Sequence, residues 1–202
     1  MKYEIKRTNV IDPDVTSPEW EKASLGEVNN ECWEGFSAIP ETTFKILKGP
    51  EGLSVLMHTN EKNLRAECKV GTEAIHTDSC MEIFIKPDPW DLRYLNFETN
   101  PKGVMKIGLG KNRNDRILLD EDRTKFSIVS IPEDGNWTLK FYIPDEFIKK
   151  HFENPNPVFK GNVYKCAEGT DHSHFGTWSR VYTPNPDYHL TDFFGMFQIE
   201  GM

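Results

Sequence analysis

The sequence predicts an all-β protein: a two-sheet antiparallel β-sandwich of immunoglobulin or jelly-roll type with one short helix. Three observations carry this expectation. From Thr43 onward, apolar and polar residues alternate with a period of two over most of the chain, the spacing of half-buried strands. Aromatic residues make up 12% of the 202 residues, and 13 Pro and 14 Gly punctuate them, a mixture suited to short strands and turns rather than long helices. Roughly nine or ten strand-like segments accompany a single helical one, so a βαβ architecture does not fit, whereas two facing sheets bury one side of every strand.

The elements follow in order. Tyr3–Val10 reads as an edge strand, followed by an irregular stretch with Pro13, Pro18 and the segment Trp20–Ala23. Thr43–Leu47 and Leu53–His58 alternate on either side of Gly49-Pro50-Glu51-Gly52, which predicts a hairpin. Further strands are expected at Cys80–Lys86, Tyr94–Thr99, Val104–Leu109, Phe126–Val129, Trp137–Ile143, Val158–Cys166 and Phe194–Ile199. The helix is placed after Pro144. Asp145 and Glu146 suit its positive N-terminal end, Phe147, Ile148 and Phe152 form its apolar stripe, and it ends by Asn154-Pro155. Without repeat, linker or low-complexity tract, residues 1–202 read as one domain. Ile83, Ile85, Leu139, Phe141, Ile143, Val163 and Phe197 are its expected core.

Composition excludes several functions. The net charge of −8 argues against nucleic-acid and anionic-membrane surfaces, which need a basic footprint. No stretch approaches the ~18 consecutive apolar residues of a membrane span. The N-terminal residues are charged, with no apolar run behind them, so the chain reads as cytoplasmic as written, or as secreted if a leader has been lost. Cys32, Cys68, Cys80 and Cys166 are spread without a C-x-x-C pair and are expected as free, mostly buried thiols.

Catalytic motifs are absent: no G-x-S-x-G, H-E-x-x-H, P-loop or complete dinucleotide fingerprint occurs. Gly108-Leu-Gly110-Lys-Asn-Arg113 reads as a hairpin turn with a basic tip. The densest polar stretch is Asp171–Arg180. Its His172 and His174 form a three-His set with His189 on paper, but each has an ordinary hydrogen-bonding role available, and no tightly bound transition metal is expected. Within it, Trp178 either stacks on the C–H face of a pyranose or caps the end of the sandwich. Strand faces add a second signal. Glu82 shares a face with Phe84; Tyr94, Asn96 and Glu98 share one; so do Asn162, Tyr164 and Cys166. Such polar-aromatic faces offer directional hydrogen bonds for hydroxyl groups.

Several segments resemble carbohydrate-binding module family 9. His76–Ile85 is similar to that family's D-S-V-E-I-F strand, with Asp78, Ser79, Glu82, Ile83 and Phe84 in place. Trp20…Ala23, Tyr94…Asn96…Gly103, Trp137–Pro144, Asn162–Lys165, Thr177-Trp178-Ser179 and Tyr188-His189…Phe193-Phe194-Gly195 fall in the family's order across about residues 18–200. The resemblance implies a non-catalytic sugar-binding β-sandwich, linked to carbohydrate catabolism, that grips mono- or oligosaccharides or chain ends between two aromatic rings. It assigns Trp178 to one ring and Glu82 to the acidic acceptor; His76 falls near the second ring, where the chain departs from the pattern. Structural calcium occurs in the family, but no dense D-x-D-x-D loop is present here. The expected pocket therefore holds Trp178, Glu82, His76 and Asn96, with Asn162 and Tyr164 nearby and His174 and Arg180 from the same polar stretch.

Three other readings use the same fold. A protein-interaction module needs no small ligand. Haem ligation, as in the related DOMON group, would draw on Met57, Met81, Met105 or Met196 and a histidine. A hydrolase would use His76, Glu82, His172 or His174 as acid and base, with a second carboxylate such as Glu98 at a suitable separation.

Overall fold

The computed structural model describes residues 1–69 and 74–201. Among these, the strands in chain order are β1 (Lys2–Arg7), β2 (Gly26–Glu27), β3 (Asn30–Glu31), β4 (Thr42–Lys48), β5 (Gly52–Thr59), β6 (Cys80–Lys86) and β7 (Tyr94–Thr99). There follow β8 (Met105–Gly110), β9 (Arg116–Leu118), β10 (Val129–Glu133) and β11 (Asn136–Pro144), then helix α1 (Asp145–His151), β12 (Val158–Cys166), β13 (Phe175–Thr177) and β14 (Gly195–Ile199). Short 3-10 turns begin at Pro18, Ile75, Arg123 and Thr191.

The strands form a curled β-sandwich. One layer runs β10-β11-β5-β4 and the other β14-β12-β6-β7-β8-β9, all antiparallel. Strand β1 joins them, because Lys2–Ile5 pair with Met196–Ile199 while Lys6 and Arg7 pair with Leu47 and Lys48, both in parallel. The expectation of an edge strand at Tyr3–Val10, and of purely antiparallel pairing, is corrected on this point. Tyr3 and Ile5 are buried apolar residues on the inner side of β1, which commits the strand to the seam.

Period-two alternation explains the core. Phe44, Ile46, Val55, Met57, Leu139 and Phe141 from one layer meet Ile83, Ile85, Phe97, Ile107, Val163 and Phe197 from the other, all buried. Each of the seven expected core residues is at most 1% exposed. Met57, Met81 and Met105 are packed in this core, where their thioethers act as filling. Helix α1 closes one end with Phe147 and Ile148, and its Asp145 accepts from Lys48 at 2.9 Å. The strand expected at Phe126–Val129 lies further on: Arg123–Phe126 is a 3-10 turn, Ser127 takes φ 44°, and pairing starts only at Val129. The two- and three-residue strands β2, β3, β9 and β13 were not anticipated, since a segment that short shows no period.

The middle of the second layer, β6, β7 and β8, is buried on both faces. The outer face of the layer carries Cys80, Phe84, Tyr94, Tyr164 and Cys166, covered by Trp33, Phe175, Tyr188 and Phe194. Residues 178–194 wrap over it, and a pocket opens there.

Candidate functional site

Register builds the floor of the pocket. Tyr164 on β12 faces Glu82 on β6, Glu82 faces Glu98 on β7, and Glu98 faces Lys106 on β8. All four are buried and share one face, because paired positions in a ladder project to the same side. One row along, Asn162, Phe84, Asn96 and Gly108 line up in the same way.

Glu98 lies between two cations. Lys106 Nζ contacts one oxygen, and Arg116 Nη1 donates to the other at 3.1 Å. Asn96 Nδ2 adds a bond to that second oxygen at 2.8 Å. Arg116 reaches in across Gly108, where a Cβ would lie 2.4 Å from Asn96 Oδ1 and 2.8 Å from Arg116 Cδ. The same Nη1 faces His189 Nε2 at 3.3 Å, and His189 Nδ1 faces the Tyr94 hydroxyl at 2.6 Å. Arg116 can only donate, so Nε2 is assigned as acceptor and Nδ1 as the protonated nitrogen. Burial, then Arg116 and Arg113, press the His189 pKa down to about 2, and the ring stays neutral.

Glu82 is different. No Lys or Arg makes an ion pair with it among the described residues, and burial followed by the facing Glu98 charge pushes its carboxyl up to about 7. Two adjacent carboxyls thus have separate roles: Glu98 spends its oxygens on Lys106, Arg116 and Asn96, and Glu82 is poised to carry a proton near neutrality.

The cavity above this floor has a volume of about 220 Å³, below the ~300 Å³ at which drug-sized sites begin. Its walls are Phe36, Phe175 and Tyr188 on one side and His76, Glu168, Arg113 and Pro186 around the mouth. Phe36 is 41% exposed and meets Phe175 edge to face at 4.7 Å. Tyr188 stacks on Tyr164 at 4.0 Å and donates from its hydroxyl to the Lys165 carbonyl at 3.1 Å. Arg113 pairs with Asp187, whose Oδ1 also accepts from the His189 backbone, tying the covering segment to the β8–β9 turn. The Gly108–Arg113 stretch does lead into a hairpin, and its return strand supplies Arg116 to the pocket.

The expected residues separate into three groups. His76 and Glu82 line the pocket, the His76 ring standing 3.3 Å from Glu168. Asn96, Tyr164 and Asn162 belong to the layer beneath: Asn96 holds Glu98, Tyr164 supports Tyr188, and Asn162 binds the Ser179 backbone through both amide atoms at 2.8 Å. Trp178, His174 and Arg180 are elsewhere. His174 faces Lys165 Nζ at 3.1 Å above a separate hollow, where burial and then Lys165 lower its pKa to about 4. Arg180 is exposed over the Tyr182 ring.

Trp178 needs a correction. It is 3% exposed and packed in the inter-sheet core against Phe197, Tyr3 and Phe44. The expectation of an exposed ring took residues 171–180 as a polar loop, but Phe175–Thr177 is a strand paired with β12. Thr177 faces Tyr164, so Trp178 follows on the Val163 side, and its N–H donates to the Val163 carbonyl at 2.9 Å. The same register turns Phe175 outward beside Cys166. Phe175, Phe36, Arg113, Arg116 and Lys106 are among the pocket residues that lie outside the expected set; strand periodicity applied to 175–179 finds the first.

His172 is exposed, while His174 and His189 sit in separate hydrogen-bonded networks, so the three do not form a metal set. Among the described residues, the one group of three or more His, Cys or acidic side chains within ligand range is Cys80, Glu82 and Cys166. Two sulfur ligands do not suit calcium, which takes six to eight oxygens.

Residues 16–199 match the sequence profile of carbohydrate-binding family 9. The chain belongs to carbohydrate-binding family 9. No curated protein sequence matches it significantly. Among solved structures, a Bacteroides uniformis protein described as a candidate carbohydrate-binding protein superposes with a TM-score of 0.84 at 23% identity, covering 98% of this chain and 99% of that one. Two structures of a carbohydrate binding module family 9 from Caldicellulosiruptor kristjanssonii, one with cellotriose and one with glucose, each give a TM-score of 0.67 at 11% identity. They cover all of this chain and 95% and 97% of theirs. These likenesses establish the fold that the family 9 chain adopts.

Proposed function

We propose that the protein binds carbohydrate without cleaving it, and that one sugar ring or chain end occupies the outer-face pocket. The observation that carries this reading is the pairing of an aromatic wall, Phe36 and Phe175, with a floor of directional polar groups centred on Glu82. A pyranose presents an apolar C–H face and a rim of hydroxyls, and such a site answers both. Hydrogen bonds to the ionised form of Glu82 would be the stronger ones. The volume suits a single ring. Glu98 directs its oxygens to Lys106, Arg116 and Asn96, so it supports the floor rather than serving as the second carboxylate of a hydrolase.

Family membership supplies the ligand class, and the sugars bound by the Caldicellulosiruptor module name the first ones to try. Titration calorimetry with glucose, cellobiose and cellotriose, followed by a broader glycan array, is the experiment. Saturable binding that weakens about tenfold or more in Phe175→Ala supports the pocket. If no mono- or oligosaccharide binds, or if Phe175→Ala binds as the parent does, the reading is wrong.

A further inference from the structure

We propose that Cys80, Cys166 and Glu82 form a binding site for a thiophilic divalent cation such as Zn2+, with one coordination position open to the pocket. The argument begins with register. Cys80 and Glu82 are two apart on β6 and share a face, and Cys166 on β12 is the cross-strand partner of Cys80. The ladder therefore delivers two sulfurs and a carboxylate oxygen to one spot, all within 4.8 Å of one another.

Spacing fits the ion. Bonds of ~2.3 Å to sulfur and ~2.0–2.2 Å to oxygen place tetrahedral ligand atoms roughly 3.5–3.8 Å apart. Cys166 Sγ already stands 3.2 Å from Glu82 Oε1 and donates to it, while Cys80 Sγ donates to the Met81 carbonyl at 4.0 Å. The ligand atoms, all within 4.8 Å of one another, need only draw together to reach that geometry. Thiolates favour zinc, cadmium or copper(I) over magnesium and calcium. Three protein ligands plus an open position is a pattern zinc adopts readily. Cys166 and Glu82 border the cavity, so the ion has a route in and a water or ligand hydroxyl has a place to complete the shell.

Metal binding has to displace the thiol protons. Burial pushes the Cys80 thiol well above its usual range. At Cys166 the neighbouring Cys80 pulls down, yet burial outweighs it and lifts the thiol to about 11. Without a cation these groups keep their protons. An entering divalent ion displaces the two thiol protons to solvent and bonds to two thiolates and the carboxylate. The bookkeeping is M2+ plus two thiols and one carboxylate, giving one anionic complex and two released protons. The expectation from sequence that no transition metal binds considered only the histidines, and the thiols change the ligand set.

The test uses the reduced full chain stripped with a chelator. Titration with Cd2+ at pH 8 should give a sulfur-to-cadmium charge-transfer band saturating at about one ion per chain, displaced by Zn2+. Calorimetry in buffers of different ionisation enthalpy should report about two protons released per ion. Cys166→Ala should weaken binding at least ~100-fold, beyond the 10–100-fold typical of losing an outer-sphere partner, while Cys32→Ser with Cys68→Ser leaves it intact. Cadmium-113 NMR of the unaltered chain reads sulfur ligation directly and does not depend on a variant folding. Absence of the band and of a sulfur-ligated resonance, or loss of both in the Cys32 and Cys68 variant, overturns the proposal. The cation site does not rest on sugar binding, and none of these measurements involves a sugar.

Discussion

Trp178 lies flat on Phe197, with ring centroids 5.0 Å apart and planes 7° from parallel. Tyr3 and Phe44 meet the same indole edge-on at 6.2 and 5.8 Å. Its backbone carbonyl accepts from Asn30 Nδ2 at 2.7 Å, so the chain on both sides of the ring is fastened. A residue held this way serves the seam where β1, β4 and β14 meet.

Trp178→Ala should therefore lower unfolding free energy by ~3–5 kcal/mol, as large-to-small changes in cores do. Trp178→Phe should cost less, since it keeps a ring against Phe197. Urea unfolding followed by circular dichroism measures both. A loss below ~1 kcal/mol for the alanine variant, the size expected of a surface change, would refute the core assignment.

Much of the fold was legible because period two persists over long strands. Cys80–Lys86, Tyr94–Thr99 and Val158–Cys166 were read with the bounds they have, and their polar-aromatic faces form the pocket floor. What escaped was set by pairing rather than pattern. β1 looks like an edge strand until its parallel partners, more than 190 residues away at Met196 and about 40 away at Leu47, are known. Phe175 and Trp178 exchange roles because three residues of β13 follow the β12 register. Arg116 arrives from a three-residue strand opposite Gly108, where no local signal marks an inward guanidinium.

Phe175 should carry the aromatic contribution to ligand binding. It is half-buried at the pocket wall, supported edge-on by Phe36 and Trp33. Phe175→Ala should reduce sugar affinity about tenfold or more, the equivalent of ~1.4 kcal/mol, and Phe175→Tyr should retain it. Calorimetric titration of both variants decides. Equal affinity for the alanine and tyrosine variants would remove the ring from the site.

Glu82 should make stability fall as pH rises. Its folded pKa near 7 lies above the ordinary 4.5, so between those values the folded state holds a proton that the unfolded state has lost. Stability from this group is therefore fully present below about 4.5 and lost by about 7, up to ~3 kcal/mol. Glu82→Gln removes the penalty while leaving an acceptor for the Cys166 thiol. Thermal melts should show the variant stabilised relative to the parent at pH 8 and nearly matched to it at pH 4. The same difference at both pH values would mean that the carboxyl is not held protonated.

Gly108 should control Arg116. The bare Cα lets the guanidinium cross β8 and settle on Glu98 and His189, and an added methyl would meet Asn96 Oδ1 at 2.4 Å and Arg116 Cδ at 2.8 Å. Asn96 is fully buried and bonded to Glu98, so the arginine is the partner that yields. Gly108→Ala should cost ~1–3 kcal/mol, the usual cost of overpacking, and should loosen the pocket as Arg116 lifts away. Arg116→Ala removes the same contact without the clash. If both substitutions act through one guanidinium, the double variant should bind sugar no worse than the weaker single one, because changes that remove a shared contact are not additive. Additive losses of affinity would show that Gly108 shapes the floor by some route other than Arg116.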